Sequence, residues 1–194
     1  MALTLISAPS AEPITLAEAR AQCRIDGTDD DALLTIAISA ARAKAEHETG
    51  RRLITQTWRQ TLDAFPSTSD IQLLVPPAAS IAQLQYVDAT GALTTLASSA
   101  YVLDAATGPA GWLLPADGTE WPYTDDVVNA VRIDIVAGYG ADGSAVPANI
   151  RAWLLLTIGF MYAQREAIDV TGKAAELPGR WYDSLLDPHR VWGL

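Results

Sequence analysis

The chain has 194 residues, 49% of them apolar, and 23 acidic against 13 basic side chains give it a net charge of −10. That length suits one domain, or one domain with an insertion, and the apolar content is ample for a packed core. The charge argues against a surface built to grip phosphate backbones, which needs clustered lysine and arginine; an acidic surface along a path would repel DNA and let it slide.

In chain order, the first segment, Met1 to Pro9, holds a short apolar run with no basic stretch ahead of it, and no signal peptide is read there. Thr15 followed by Glu18 is a capping-box pattern just after Pro13, and it opens a short helix through about Arg24. The lone Cys23 has no internal disulfide partner, so a reducing compartment is natural. Asp26-Gly27-Thr28 breaks that helix, and Asp29, Asp30 and Asp31 start a longer one that ends at Gly50. Carboxylates in a first turn favour the positive end of the helix dipole, and a glycine just past the last turn suits a left-handed cap. Leu34, Ile38, Ala41 and Ala45 form one stripe of this helix, widened by Leu33, Ala37 and Ala40. The small alanines would let another helix approach closely, so the stripe is expected at an oligomer interface.

The middle of the chain reads as β. Trp58 and Leu62 sit at even spacing among polar neighbours, Ile71 to Val75 is a short apolar strand stopped by Pro76-Pro77, and Ala82, Leu84 and Tyr86 alternate again. Asp88-Ala89-Thr90-Gly91 is a hairpin turn. Tyr101 to Leu103 and Trp112 to Leu114 are further strand candidates, and a long acidic loop runs from Pro115 to Asp126. Val131, Ile133 and Ile135 then alternate with Arg132 and Asp134 on the polar face. Short strands with frequent turns predict a small antiparallel sheet or barrel.

After the turn Ala137-Gly138-Tyr139-Gly140, Pro147 opens a helix that is apolar on nearly every side from Ile150 to Tyr162. Such a helix is buried all round, either as a central core helix or because a neighbouring subunit covers its second face. The run is too short for a membrane span, which needs about 20 residues. Asp169 to Lys173 reads as a loop, and Pro178-Gly179 precedes one or two helical turns over Arg180 to Leu186. Trp181, Tyr182, Leu185, Leu186 and Trp192 are costly to leave in water. A terminus frays unless something holds it, so this tail either docks back on its own domain or binds a partner. Arg180, Trp181, Tyr182, Leu185, Leu186, His189, Arg190, Val191 and Trp192 together make a composition typical of interface hot spots, and partner docking is the expectation.

Catalytic chemistry is nearly absent from the pattern. His47, His189 and Cys23 have no metal-site spacing, and no Gly-x-Ser-x-Gly elbow occurs. The crowded Asp26, Asp29, Asp30 and Asp31 lack the glycine and final glutamate of a calcium loop, so helix capping is their reading. Gly138 to Gly143 matches G-x-G-x-x-G by letter. In a dinucleotide site the third glycine lies within the helix, whereas here Ser144 to Pro147 intervene. Gly138 and Gly140 are therefore expected to be backbone devices, and no catalytic residue, metal or cofactor is assigned.

Six segments, in order and spacing, carry a resemblance: PITLAEAR at 13–20, DDDALL at 29–34, TGRRLITQTW at 49–58, AGYG at 137–140, VPANIRA at 146–152 and YAQRE at 162–166. Together they resemble the head-to-tail connector (adaptor) family of long-tailed phages, prophages and gene-transfer agents. The resemblance implies an α+β subunit: a helical adaptor core of two N-terminal helices and a long apolar helix, an inserted antiparallel β-region, and a C-terminal tail. Within a single connector domain the expected parts are helices in 1–53, the β-region in 54–140, the core helix in 147–168 and a docking tail in 177–194. It also implies a ring, dodecameric when assembled, that sits under the portal protein in the particle neck. Such a ring receives a stopper or tail-completion protein and passes DNA without specific binding. The subunit would be made in the bacterial cytoplasm, with no membrane step. Two other readings stay open: a stopper or tail-completion protein, and a small nucleotide-binding enzyme using the Gly-rich loop.

Overall fold

The computed structural model describes residues 1–67, 70–107, 110–164 and 182–192. They form two compact units. One gathers Met1–Ser10 with Thr55–Tyr139; the other gathers Ala11–Ile54 with the described residues from Gly140 onward. The architecture is α+β with antiparallel sheets.

The β-unit contains β1 (Ala2–Ser7), β2 (Gln56–Leu62), β3 (Ile71–Gln72), β4 (Ala78–Val87), β5 (Leu93–Thr95), β6 (Tyr101–Asp104), β7 (Trp112–Pro115) and β8 (Val131–Ala137). Five strands make one sheet in the order β1-β2-β8-β4-β5, and three make a second in the order β3-β7-β6. β8 is central for a reason visible in its residues. Val131, Ile133, Ile135 and Ala137 alternate along the strand and are fully buried, joining Leu73, Val75, Leu84 and Leu113 in one core. Asp134 interrupts the apolar set yet is also buried. It can be, because Arg59 stands opposite it on β2 and makes two hydrogen bonds to its carboxylate at 2.7 and 2.8 Å.

Residues 2–7, expected among the helical segments, are instead an edge strand paired to β2. Isolated strands have no signature beyond alternation, and Ala2 to Ser7 lacks it; the partner strand decides. The strand expected over Ile71 to Val75 shortens to β3. Leu73 and Val75 are buried, but the backbone there is held by loops and side chains: Leu73 N–H donates to the Gly111 carbonyl, and Leu74 N–H to Gln60 Oε1. The turn at Asp88 is as read. Asp88 Oδ1 accepts from the N–H groups of Thr90 and Ala92, and Gly91 takes φ +80°.

Gln60 holds the two sheets' connections together from inside. Its side chain is fully buried, donates to the Gln72 carbonyl at 2.9 Å and accepts from Leu74 N–H at 3.0 Å. Gln60→Leu keeps the volume but orphans both backbone groups, and each such buried group costs about 1–3 kcal/mol. The expected loss is about 2–6 kcal/mol in urea unfolding. An unchanged midpoint would mean that water replaces the amide.

The α-unit holds α1 (Leu16–Cys23), α2 (Asp31–Thr49) and α3 (Ala148–Ala163). α1 opens on the reciprocal capping box: Glu18 N–H donates to Thr15 Oγ1 and Thr15 N–H to Glu18 Oε2. It closes on Arg24 in the left-handed region. α2 ends at Gly50 with φ +70°. Its first-turn carboxylates do not cap it by side-chain hydrogen bonds, contrary to the capping expectation. Asp30 accepts from the Tyr162 hydroxyl at 2.6 Å, and Asp31 pairs with Arg20. Those partners stand in the same unit and offer stronger, charge-assisted or phenolic donors than a backbone amide.

α3 follows Pro147 and packs against both α1 and α2. It buries Ile150, Trp153, Leu154, Thr157 and Ile158 in the α-unit, while Leu156 stays exposed. The helix is therefore a core helix on one broad face only. The Gly-rich loop before it is a packing device. A Cβ on Gly143 would lie 2.1 Å from the Pro13 carbonyl oxygen, and one on Gly140 would lie 2.4 Å from Ala145 Cβ. Gly138 has φ +128°, which side chains rarely tolerate.

Candidate functional site

The four residues expected at an oligomer interface, Leu34, Ile38, Ala41 and Ala45, are buried inside the α-unit. This corrects the expectation: α2, which packs against α3 and α1, buries that stripe within the subunit. The small alanines are covered, but by the chain itself. A charge at Ala41 would unfold the subunit before it blocked any ring contact. The neighbouring positions behave differently. Ile36 is 65% exposed and Leu33 38%, and with Ala40, Met161 and Tyr162 they line an apolar groove of about 140 Å³. Leu33 and Ala40 widen the predicted stripe; Ile36, three residues after Leu33 and four before Ala40, belongs to the same helix face, and the reading centred on Leu34, Ile38, Ala41 and Ala45 passes it over.

The C-terminal segment departs from the docking expectation in a similar way. Arg180 and Trp181 lie outside the described residues, as do the Asp169–Lys173 loop and Pro178-Gly179. From Tyr182 the chain packs onto the α-unit. The Tyr182 ring stacks on Trp153 with centroids 5.4 Å apart, and its hydroxyl hydrogen-bonds the Thr157 hydroxyl. Trp153 Nε1 donates to Asp183 at 3.2 Å. Leu186 is fully buried and Leu185 half-buried. Two short 3-10 turns, Asp183–Leu185 and Asp187–His189, follow.

The backbone of this segment is held as well. Asn149 Nδ2 donates to the Leu185 carbonyl, Arg51 Nε to the His189 carbonyl at 2.7 Å, and Val191 N–H to the Thr49 carbonyl at 2.8 Å. Arg190 pairs with Glu48 and Asp187. The aromatic and aliphatic side chains that suggested a partner are thus mostly satisfied at home. Among the described residues of this segment Trp192 is the exception: it is 76% exposed, with the Arg190 guanidinium 5.9 Å from its ring centre.

His189 ties this segment to a pH dependence. Its Nε2 lies 2.9 Å from Asn149 Oδ1. Burial, and then the nearby Arg51 charge, push its pKa below the usual imidazole value. A depressed folded-state pKa means the unfolded chain binds the proton first. Stability is therefore full above the unfolded imidazole pKa of about 6.5 and falls as pH drops through the lowered folded value. Thermal melts should lose stability from pH 7 downward in that window, and His189→Gln should flatten the part of the slope that His189 supplies. An unaltered slope would place the titration elsewhere.

A third surface was not anticipated. Phe65, after β2, stacks on Trp121 with centroids 4.9 Å apart and rings nearly parallel, and meets Tyr86 edge-on at 5.8 Å. Pro66, Pro122, Glu120 and Tyr123 complete a cleft of about 480 Å³ in the β-unit. The acidic loop was legible in sequence, but nothing there pointed to Phe65 as its neighbour.

Among the described residues, no group of three or more His, Cys, Asp or Glu could hold a metal ion. None of the helices among the described residues is long and apolar enough to cross a membrane. Burial raises the pKa of the Cys23 thiol, so it is not poised as a nucleophile.

Residues 13–87 match the family described as phage gp6-like head-tail connector proteins. The chain is also similar over its full length to solved chains from gene transfer agent (GTA) particles. It shares 27% identity and a TM-score of 0.79 with a chain in the neck of an empty GTA particle computed with C6 symmetry, covering 100% of this chain and 97% of that one. The values are the same for a chain in the virion of a native GTA particle. A chain in the neck of a native particle computed with C12 symmetry gives 28%, 0.76, and the same coverage. No curated protein matches. The chain thus resembles the head-tail connectors, and its role is that of a structural connector.

Proposed function

We propose that this chain is the adaptor subunit of a particle neck, acting as one connector domain made of its helical and β parts. It forms a ring, twelve-membered when assembled, under the portal protein. It receives a stopper or tail-completion protein and lets DNA pass without specific binding. It is made in the bacterial cytoplasm and performs no catalysis. The observation that carries this reading is likeness across the whole chain to a neck component, at 27% identity and a TM-score of 0.79. The C6 and C12 symmetries of those necks support a ring. A closed ring needs two different faces meeting head-to-tail, and the apolar groove around Ile36 is offered as one of them. Trp192, the exposed end of the otherwise docked tail, is offered as the portal-facing contact.

Electron microscopy of particles carrying Ile36→Glu tests the assignment. The variant should fold normally, since Ile36 is 65% exposed, yet fail to close rings. Complete rings in that variant would move the interface elsewhere. Binding of the purified chain to isolated portal, against isolated tail-tube protein, separates an adaptor from a stopper or tail-completion protein. Preference for the tail tube would favour the latter. Saturable ATP or NAD binding in a thermal-shift panel would favour an enzyme; against it, Gly140 and Gly143 are accounted for by close packing on Ala145 and Pro13.

A further inference from the structure

The negative charge is not spread evenly. Between Arg59 and Arg132 the sequence has no lysine, arginine or histidine, but eight carboxylates: Asp63, Asp70, Asp88, Asp104, Asp117, Glu120, Asp125 and Asp126. Arg59 is itself occupied by Asp134. The β-unit therefore presents a nearly uncompensated acidic surface. A surface meant only to let DNA slide needs charge and little else. This one also holds exposed apolar groups in the same loop: Tyr123 is 93% exposed, Val128 79% and Val127 41%. Exposed aromatic and aliphatic side chains beside a formed cleft are the mark of a binding surface.

Pro66 and Pro122 restrict the backbone on either side of the stacked Phe65 and Trp121. Phe65 and Trp121 in turn pack against the β-unit core. That packing fixes the two rings before anything binds, which lowers the ordering cost at this wall of the cleft. At the rim, Glu120 is exposed and makes no hydrogen bond or ion pair with a described residue. An aromatic wall beside a free carboxylate, in an acidic field, suits a cation. The face of the exposed Tyr123 ring attracts a guanidinium or ammonium group, and the Glu120 carboxylate pairs with it.

We infer that the cleft formed by Phe65, Glu120, Trp121 and Tyr123 receives an extended, arginine- or lysine-bearing segment of another protein. The source of that segment, a neighbouring neck component, rests on the connector reading; the preference for a cationic peptide does not. The probe is the capped peptide Gly-Pro-Arg-Pro-Arg-Gly, titrated calorimetrically into the full chain beside its counterpart with glutamate for each arginine. The arginine peptide should bind saturably, weaken severalfold as salt rises from about 0.05 to 0.3 M, and shift the Trp121 indole resonance. The glutamate peptide should not bind.

Tyr123→Ala with Glu120→Gln, both at exposed positions, should leave the melting temperature unchanged and weaken the arginine peptide by about tenfold, the equivalent of losing one good contact. Equal binding of the two peptides, no binding of either, or full affinity in the double variant would overturn the inference. The connector reading is judged separately, by whether the chain is found in particle necks at all. A chain absent from necks that still binds the arginine peptide would overturn the connector reading and leave the cleft assignment intact.

Discussion

Trp153→Ala is expected to lower the unfolding free energy by about 3–5 kcal/mol, the range for emptying a large aromatic site. Trp153 is fully buried. Its ring is stacked by Tyr182 on one side and approached by Lys44 Nζ at 5.9 Å, and its indole N–H is bonded to Asp183. The substitution removes the packing, leaves a cavity and strips a hydrogen bond from the segment that covers it. Chemical denaturation of the full chain measures the effect. A midpoint nearly unchanged would mean that Trp153 is not part of the free subunit's core.

The second large effect is expected from truncation after Trp181. If residues 182–192 were a loose docking arm, the shortened chain would keep its melting temperature and lose only a partner. The structure points the other way. Burying a large apolar side chain is worth about 1.5–3 kcal/mol, and both Tyr182 and Leu186 are buried. Their removal alone should cost roughly 3–6 kcal/mol. The carbonyl of Thr49, near the end of α2, and Asn149 also lose their partners. The truncated chain should melt far lower or fail to fold. Hydrogen exchange on the intact chain gives a second reading: amides of Leu185 and Leu186, bonded to the Tyr182 and Asp183 carbonyls, should be protected in the free subunit. Rapid exchange there, with an unaltered melting point after truncation, would restore the loose-arm view.

The two effects are linked through one stack. Trp153 and Tyr182 cover each other, so Trp153→Ala combined with truncation should cost less than the two separately, as neighbouring sites are not additive.

Much of the local structure could be read from the residues because its causes are local. The Thr15–Glu18 capping box, the glycine at position 50 and Pro147 mark helix ends through hydrogen bonds and backbone limits that act within a few residues. The alternation of Val131, Ile133 and Ile135 named the central strand, since a strand with period two has a buried face wherever it sits. The family resemblance was legible for the same reason: order and spacing of short segments survive without knowledge of contacts.

What only the tertiary structure decided was the identity of each neighbour. The stripe Leu34, Ile38, Ala41 and Ala45 demands a cover, and its pattern is the same whether α3 or another subunit supplies it. Tyr182, Leu186 and Trp192 all demand shelter from water, yet two are sheltered by the chain itself and Trp192 is not. Ala2 to Ser7 became a strand because β2 offered it an edge. Phe65 met Trp121 because the fold brings the end of β2 to the acidic loop. Burial of apolar surface is strong but non-directional; the sequence by itself determined which surfaces must be covered, and only the packed chain determined by what.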